Sequence, residues 1–165
     1  MPTTARKHVQ ALAAAAATAI LAACGQSTDA PEDSADAISV VAGDLRLDGP
    51  YVRQPMTGQK ITAGYFTIEN LGETDDRLIA AESPAAETVE LHTHTLEDGV
   101  MKMRRIEAVE VPKGAQIQLQ PGGLHLMLIN TNADALASET VDIKLTFENA
   151  GDVTLSAPVR AVSSK

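Results

Sequence analysis

From Ile38 to Val162 the chain consists of short alternating or wholly apolar runs, rich in Val, Ile, Leu and Thr and separated by clusters of Gly, Pro, Asn and Asp. No run there keeps a 3.6-residue apolar period with capping residues, so helices are not the building blocks. The pattern predicts strands at Ile38–Leu47, Ile61–Asn70, Arg77–Ser83, Thr88–Thr95, Val100–Glu107, Ala115–Gln120, Leu124–Asn130, Thr140–Glu148 and Val153–Ala161. Short strands at this spacing, broken by turns such as Pro121-Gly122-Gly123 and Asn149-Ala150-Gly151, predict an all-β sandwich or barrel. About 125 residues suffice for one such core. There is no internal repeat.

Two segments of different character precede this region. Residues 1–23 carry Arg6 and Lys7, then an Ala-rich apolar run from Ala11 to Ala23 that is short for a bilayer span, as in a secretory signal. Leu21-Ala22-Ala23-Cys24 resembles the bacterial lipobox, which implies acylation of Cys24 as the mature N-terminus; soluble secretion is the plainer alternative. Gly25 rather than Asp after the Cys favours the outer membrane of a Gram-negative cell. Residues 24–37 then form the lipidated Cys and an acidic linker with Asp29, Glu32, Asp33 and Asp36 and no large apolar side chain. Such a stretch cannot offset its ordering entropy and is expected to be disordered. At about 5–6 Å × √n it would hold the domain, residues 38–165, roughly 20 Å from a membrane.

Charge and cysteine content exclude several functions. Lys and Arg number 13 against 22 Asp and Glu, a net charge of −9, which argues against a nucleic-acid partner. Loss of Arg6 and Lys7 with the signal leaves 11 cations against 22 anions. The single cysteine excludes an internal disulfide framework and a CxxC redox or zinc site.

The residues able to do chemistry lie between His92 and Met127. Three of the four histidines (His92, His94, His125) and three of the five methionines (Met101, Met103, Met127) fall in this window. Any one of them alone would more simply be a packed or hydrogen-bonded structural residue. Their alternation argues otherwise. In Leu124-His125-Leu126-Met127-Leu128 the leucines share one face of a strand and His125 and Met127 the other. In Val89-Glu90-Leu91-His92-Thr93-His94 the apolar Val89 and Leu91 oppose Glu90, His92 and His94. A four-residue loop Leu96-Glu97-Asp98-Gly99 is expected between the next two strands, setting His92 against Met103 and His94 against Met101. A two-residue Asp98-Gly99 turn would instead oppose His94 to Met103.

Imidazoles and thioethers without a thiolate select a soft metal. Met is a poor zinc ligand and a good one for Cu(I). A blue-copper electron-transfer site would need a Cys thiolate beside its histidines, and the domain after Cys24 has none.

The spacing His92, ten residues, Met103, twenty-one residues, His125, one residue, Met127 resembles the signature of the periplasmic copper(A) chaperone family, PCu(A)C. Gly64-Tyr65-Phe66-Thr67-Ile68-Glu69-Asn70, Glu90-Leu91-His92, Asp98-Gly99-Val100-Met101-Lys102-Met103-Arg104 and Pro121 to Leu128 are also similar to that family, over roughly Leu45 to Val159. The resemblance implies a cupredoxin-like Greek-key β-sandwich. It further implies Cu(I) held by His92, Met103, His125 and Met127 at one exposed end of the fold. The implied role is that of a monomeric chaperone supplying the copper A centre of cytochrome c oxidase subunit II, alongside a Sco-type thiol chaperone. His94 is additional to the signature; it is expected to be a solvated surface residue before a secondary or Cu(II) position. Met101 is expected to cover the site, and Tyr51, Arg53 and Pro55 to be structural or rim residues. A copper storage or resistance lipoprotein is the alternative. A metalloenzyme built on His92, His94, His125 and Glu90, and a lipoprotein whose His and Met merely pack, are further ones.

Overall fold

A computed structural model of the chain describes residues 38–161. The predicted signal, Cys24 and the acidic linker lie outside the described residues. The elements are β1 (Ser39–Ala42), β2 (Leu45–Arg53), β3 (Ile61–Asn70), β4 (Asp76–Glu82), β5 (Ala86–Glu97), β6 (Val100–Arg105), β7 (Val109–Val111), β8 (Gln116–Leu119), β9 (His125–Thr131), the one-turn helix α1 (Ala133–Leu136), β10 (Thr140–Phe147) and β11 (Gly151–Arg160). The expected all-β sandwich is the fold found.

One layer runs β6-β5-β9-β3-β2 and the other β11-β10-β4-β7. Strand β11 joins them: it pairs with β10 from Gly151 to Pro158, then Val159 and Arg160 run parallel to Val52 and Arg53 of β2. The change of partner falls at Pro158, which has no N–H to offer a ladder. Strands β9 and β8 share one edge of β3 in series, β9 along Ile61–Gly64 and β8 along Phe66–Glu69. That arrangement leaves the turn between β8 and β9 in mid-sheet.

The core is the period-two product of both layers. Leu47, Phe66, Ile68, Leu126 and Leu128 from one layer and Leu78, Ile143, Leu145, Phe147 and Leu155 from the other belong to one buried cluster. Gly64 faces the opposite layer, since a Cβ there would stand 3.5 Å from Cδ1 of Ile143.

Four local features differ from expectation. The predicted strand Ile38–Leu47 is two strands, because Gly43 adopts φ +57° and turns the chain so that Ala42 pairs with Leu45. Strand β2 then continues to Arg53 through an irregularity at Gly49 and Pro50, with Gly49 at φ +58°. Strand β7, in which Val109 and Val111 are buried on either side of exposed Glu110, and the one-turn helix α1 were not expected; α1 is capped by Asn132, whose side chain accepts from the Asp134 N–H at 3.0 Å.

The most consequential difference is the β5–β6 register. The four-residue loop is not formed; Glu97 pairs with Val100, His94 with Met103 and His92 with Arg105. Asp98 and Gly99 make a two-residue turn with φ values of 52° and 80°. Two consecutive left-handed residues match the right-handed twist of the flanking strands, and Asp-Gly is well suited to that turn. On the hairpin face bearing Thr95, Glu97 accepts from Arg104 Nη2 at 2.7 Å, Arg104 Nε at 2.9 Å and Lys102 Nζ at 3.2 Å.

Truncating Leu145 to Ala in the fully buried core should lower the unfolding free energy by about 2–5 kcal/mol in a denaturant titration. The Glu97 carboxyl is held down to about 2 by its hydrogen bonds from Arg104, Lys102 and Thr95. Because that lies below the unfolded value of roughly 4.3, the contacts contribute fully above that pH and their contribution is lost as pH falls toward about 2. A carboxyl-detected NMR titration should give Glu97 a midpoint near 2 at low salt, moving upward in about 1 M salt as screening weakens the exposed pairs.

Candidate metal centre

Strand β9 separates core from chemistry. Leu126 and Leu128 are fully buried between the layers, so His125 and Met127 stand on the outer face. Its neighbour β5 does the same with Leu91 inward and Glu90, His92 and His94 outward. Pairing sets His92 opposite His125 and Glu90 opposite Met127, and the hairpin sets His94 opposite Met103. Five candidate donors thus share one face of three adjacent strands. On the far side Ala63 of β3 pairs with Met127, and its single methyl leaves space above the sheet.

That space is a cavity of about 460 Å³ lined by His94, Met103, His125 and Met127 together with Tyr65, Met56 and the segment around Arg53. The donors therefore stand on a sheet face, walled by the β2–β3 loop and the Pro121-Gly122 turn, where the resemblance implied an exposed end of the fold. His92 is not among the lining residues; its side chain is 11% exposed and lies beside the cavity.

The imidazoles are oriented by specific acceptors. Nδ1 of His125 lies 3.0 Å from the Gly123 carbonyl oxygen and Nδ1 of His94 lies 3.3 Å from the same atom. A carbonyl only accepts, so each Nδ1 carries a proton, which in the neutral form of either ring leaves the Nε2 lone pair free. His92 is arranged in the opposite sense. Its Nε2 donates to Glu90 Oε2 at 2.8 Å, and its Nδ1 is buried with no hydrogen-bond partner. Glu90 is also 3.4 Å from Arg105, and its carboxyl sits below the usual range, chiefly through the His92 hydrogen bond. The ring centroids of His92 and His94 lie 5.7 and 5.2 Å from that of His125.

Burial sets the protonation of the innermost ring. His125 is 4% exposed, and desolvation lowers its pKa; the Gly123 carbonyl acts against this, while His94 and His92 lower it further. A neutral imidazole is the form that ligates metal. Among the described residues no three His, Cys, Asp or Glu side chains group to hold a metal by themselves.

Two expectations change. His94 is not a solvated surface residue, since it is partly buried against Gly123 and lines the cavity. Met101 does not cover the site: it pairs with Leu96 one step nearer the hairpin turn, is 55% exposed and is not among the lining residues. Arg53 and Pro55 stand at the rim as expected, and Tyr51 is structural, its ring 5.0 Å from that of Tyr65 and beneath the Arg160 guanidinium. Met56, 66% exposed, is a further thioether on the cavity wall that the His/Met spacing did not single out. It lies outside any periodic run, and only the β2–β3 pairing brings its loop to the site.

Comparison with known proteins places this geometry in context. The family described as "Putative lipoprotein LpqE-like" matches residues 45–159. A protein of Leifsonia xyli subsp. xyli described as "Putative lipoprotein Lxx21020" is 27% identical over 107 residues, covering 64% of this chain and 64% of that protein's length. Among solved structures, the copper-bound PCuAC domain from PmoF2 superposes with a TM-score of 0.65 at 26% identity, over 75% of this chain and 98% of that domain. The Cu(I)-bound DR1885 of Deinococcus radiodurans gives 0.55 at 26% identity, over 82% and 87%. These structures share the β-sandwich described above. With every strand from β2 to β10 and all but the last residue of β11 inside the matched span, the chain belongs to the LpqE-like family.

Proposed function

We propose that this protein is an extracytoplasmic copper chaperone that holds Cu(I) through imidazole and thioether donors and passes it on by ligand exchange. The observation that carries this is the opening of Met103, Met127 and His125 into one cavity on the outer face of the sheet. Two neutral sulfurs beside neutral imidazoles suit a soft monovalent ion and not zinc. The likeness to two copper-bound domains supports the same choice.

His92 completes the donor set that the spacing nominates. Its buried Nδ1 lone pair has no protein partner, and Glu90 fixes the ring through Nε2, the carboxylate–imidazole arrangement that commonly orients a metal-binding histidine. His92, Met103, His125 and Met127 are accordingly the proposed ligands. Cys24, the one cysteine, would carry the lipid anchor and hold the domain at a membrane surface. The proposed recipient is the copper A centre of cytochrome c oxidase subunit II, with a Sco-type thiol protein acting beside it.

Anaerobic titration should show one tight Cu(I) site whose X-ray absorption reports both sulfur and nitrogen neighbours. Replacing Met103 and Met127 together by Leu should weaken Cu(I) binding by at least about 100-fold while leaving the fold intact, since Leu and Met are near in volume. Preferential zinc binding, or unchanged copper affinity in that variant, would overturn the proposal. For the anchor, labelling of the full chain in a bacterial host with a clickable fatty acid should be lost in Cys24→Ser; equal labelling of both would remove Cys24 from that role.

A further inference from the structure

We infer that His94 is a nitrogen donor to the same metal, through Nε2, although the His92-to-Met127 spacing does not include it. This rests on the copper-binding reading above and extends its ligand set. His94 lines the cavity with Met103, His125 and Met127, whereas His92 does not. The hairpin register places His94 directly opposite Met103, so this imidazole and this thioether leave adjacent strands side by side on the cavity face.

The hydrogen bonding points the same way. His94 and His125 both give their Nδ1 protons to Gly123 O, at 3.3 and 3.0 Å, so one carbonyl fixes two rings in one tautomer. Both rings then keep Nε2 free, with centroids 5.2 Å apart and an interplanar angle of 31°. A purely packed histidine needs no such match. His92, by contrast, has its Nε2 turned to Glu90. Strand β5 would therefore supply two nitrogen donors through opposite ring positions, His92 through Nδ1 and the cavity-lining His94 through Nε2.

Nitrogen-detected NMR of the imidazoles in the full chain in detergent, before and after one equivalent of Cu(I), tests the assignment without any substitution. Cu(I) is diamagnetic, so the resonances survive binding. The His94 Nε2 resonance should shift on Cu(I) addition while its Nδ1 stays protonated. In competition with a chromophoric chelator, His94→Ala should weaken Cu(I) binding at least tenfold. If Cu(I) binds yet His94 Nε2 does not move and His94→Ala binds as tightly as the parent, the assignment of His94 is overturned and the chaperone reading stands. If the unmodified chain takes up no Cu(I), the chaperone reading itself fails and this inference with it.

Discussion

Everything at the candidate site depends on the alternation of side chains along β9. Leu126 and Leu128 are fixed by the pressure to bury them between two layers, and His125 and Met127 occupy the outer face as a consequence. A shift of one residue in register would put an imidazole and a thioether into the core and two leucines into the cavity. Apolar burial thus does more than hold the fold: it fixes which side the donors face. The same holds on β5, where Leu91 pairs with Leu126 and His92 with His125 in one unbroken ladder.

A second constraint comes from the turn before β9. Gly122 sits at φ +82°, and the turn closes with Gln120 N–H donating to Leu124 O at 2.8 Å and Gly123 N–H donating to Gln120 O at 3.0 Å. A residue with a Cβ resists that backbone conformation. The turn directs the Gly123 carbonyl back over the sheet, where it accepts from two histidines on different strands. A backbone oxygen is a firmer orienter than a side chain, because it has no rotamer of its own to lose. The orientations of the His94 and His125 rings therefore trace to this glycine turn.

The sequence disclosed the faces more fully than the registers. Alternation around Leu91, Leu126 and Leu128 was enough to predict which side His92, His125 and Met127 would take, because burial of leucine is a strong local rule. The pairing of β5 with β6 depended on a choice between turns of two and four residues, both ending in Asp98-Gly99. The two-residue turn prevails because Asp98 and Gly99 can both adopt positive φ, and this moved Met103 from His92 to His94. The far wall of the cavity was illegible for another reason. Met56 and Tyr65 reach it through pairing of β2 with β3 and of β3 with β9, contacts that no local pattern encodes.

Burial across the donor set is graded, and the gradient bears on how a metal would leave. Met103 is 44% exposed on the outer strand β6, while His125 is 4% exposed on β9 in the middle of the layer. A partner bringing thiolates would meet the Met103 side first and the His125 side last. Thioethers are neutral and weakly held by solvent, so exchanging Met103 for a thiolate exposes no charge and breaks no hydrogen bond. His125 is tied to the Gly123 carbonyl on the other side of its ring, so release of an ion at Nε2 would leave that bond in place. Within the proposed function, the partly exposed Met103 would serve as the point of exchange and the buried His125 imidazole as the fixed wall against which it occurs.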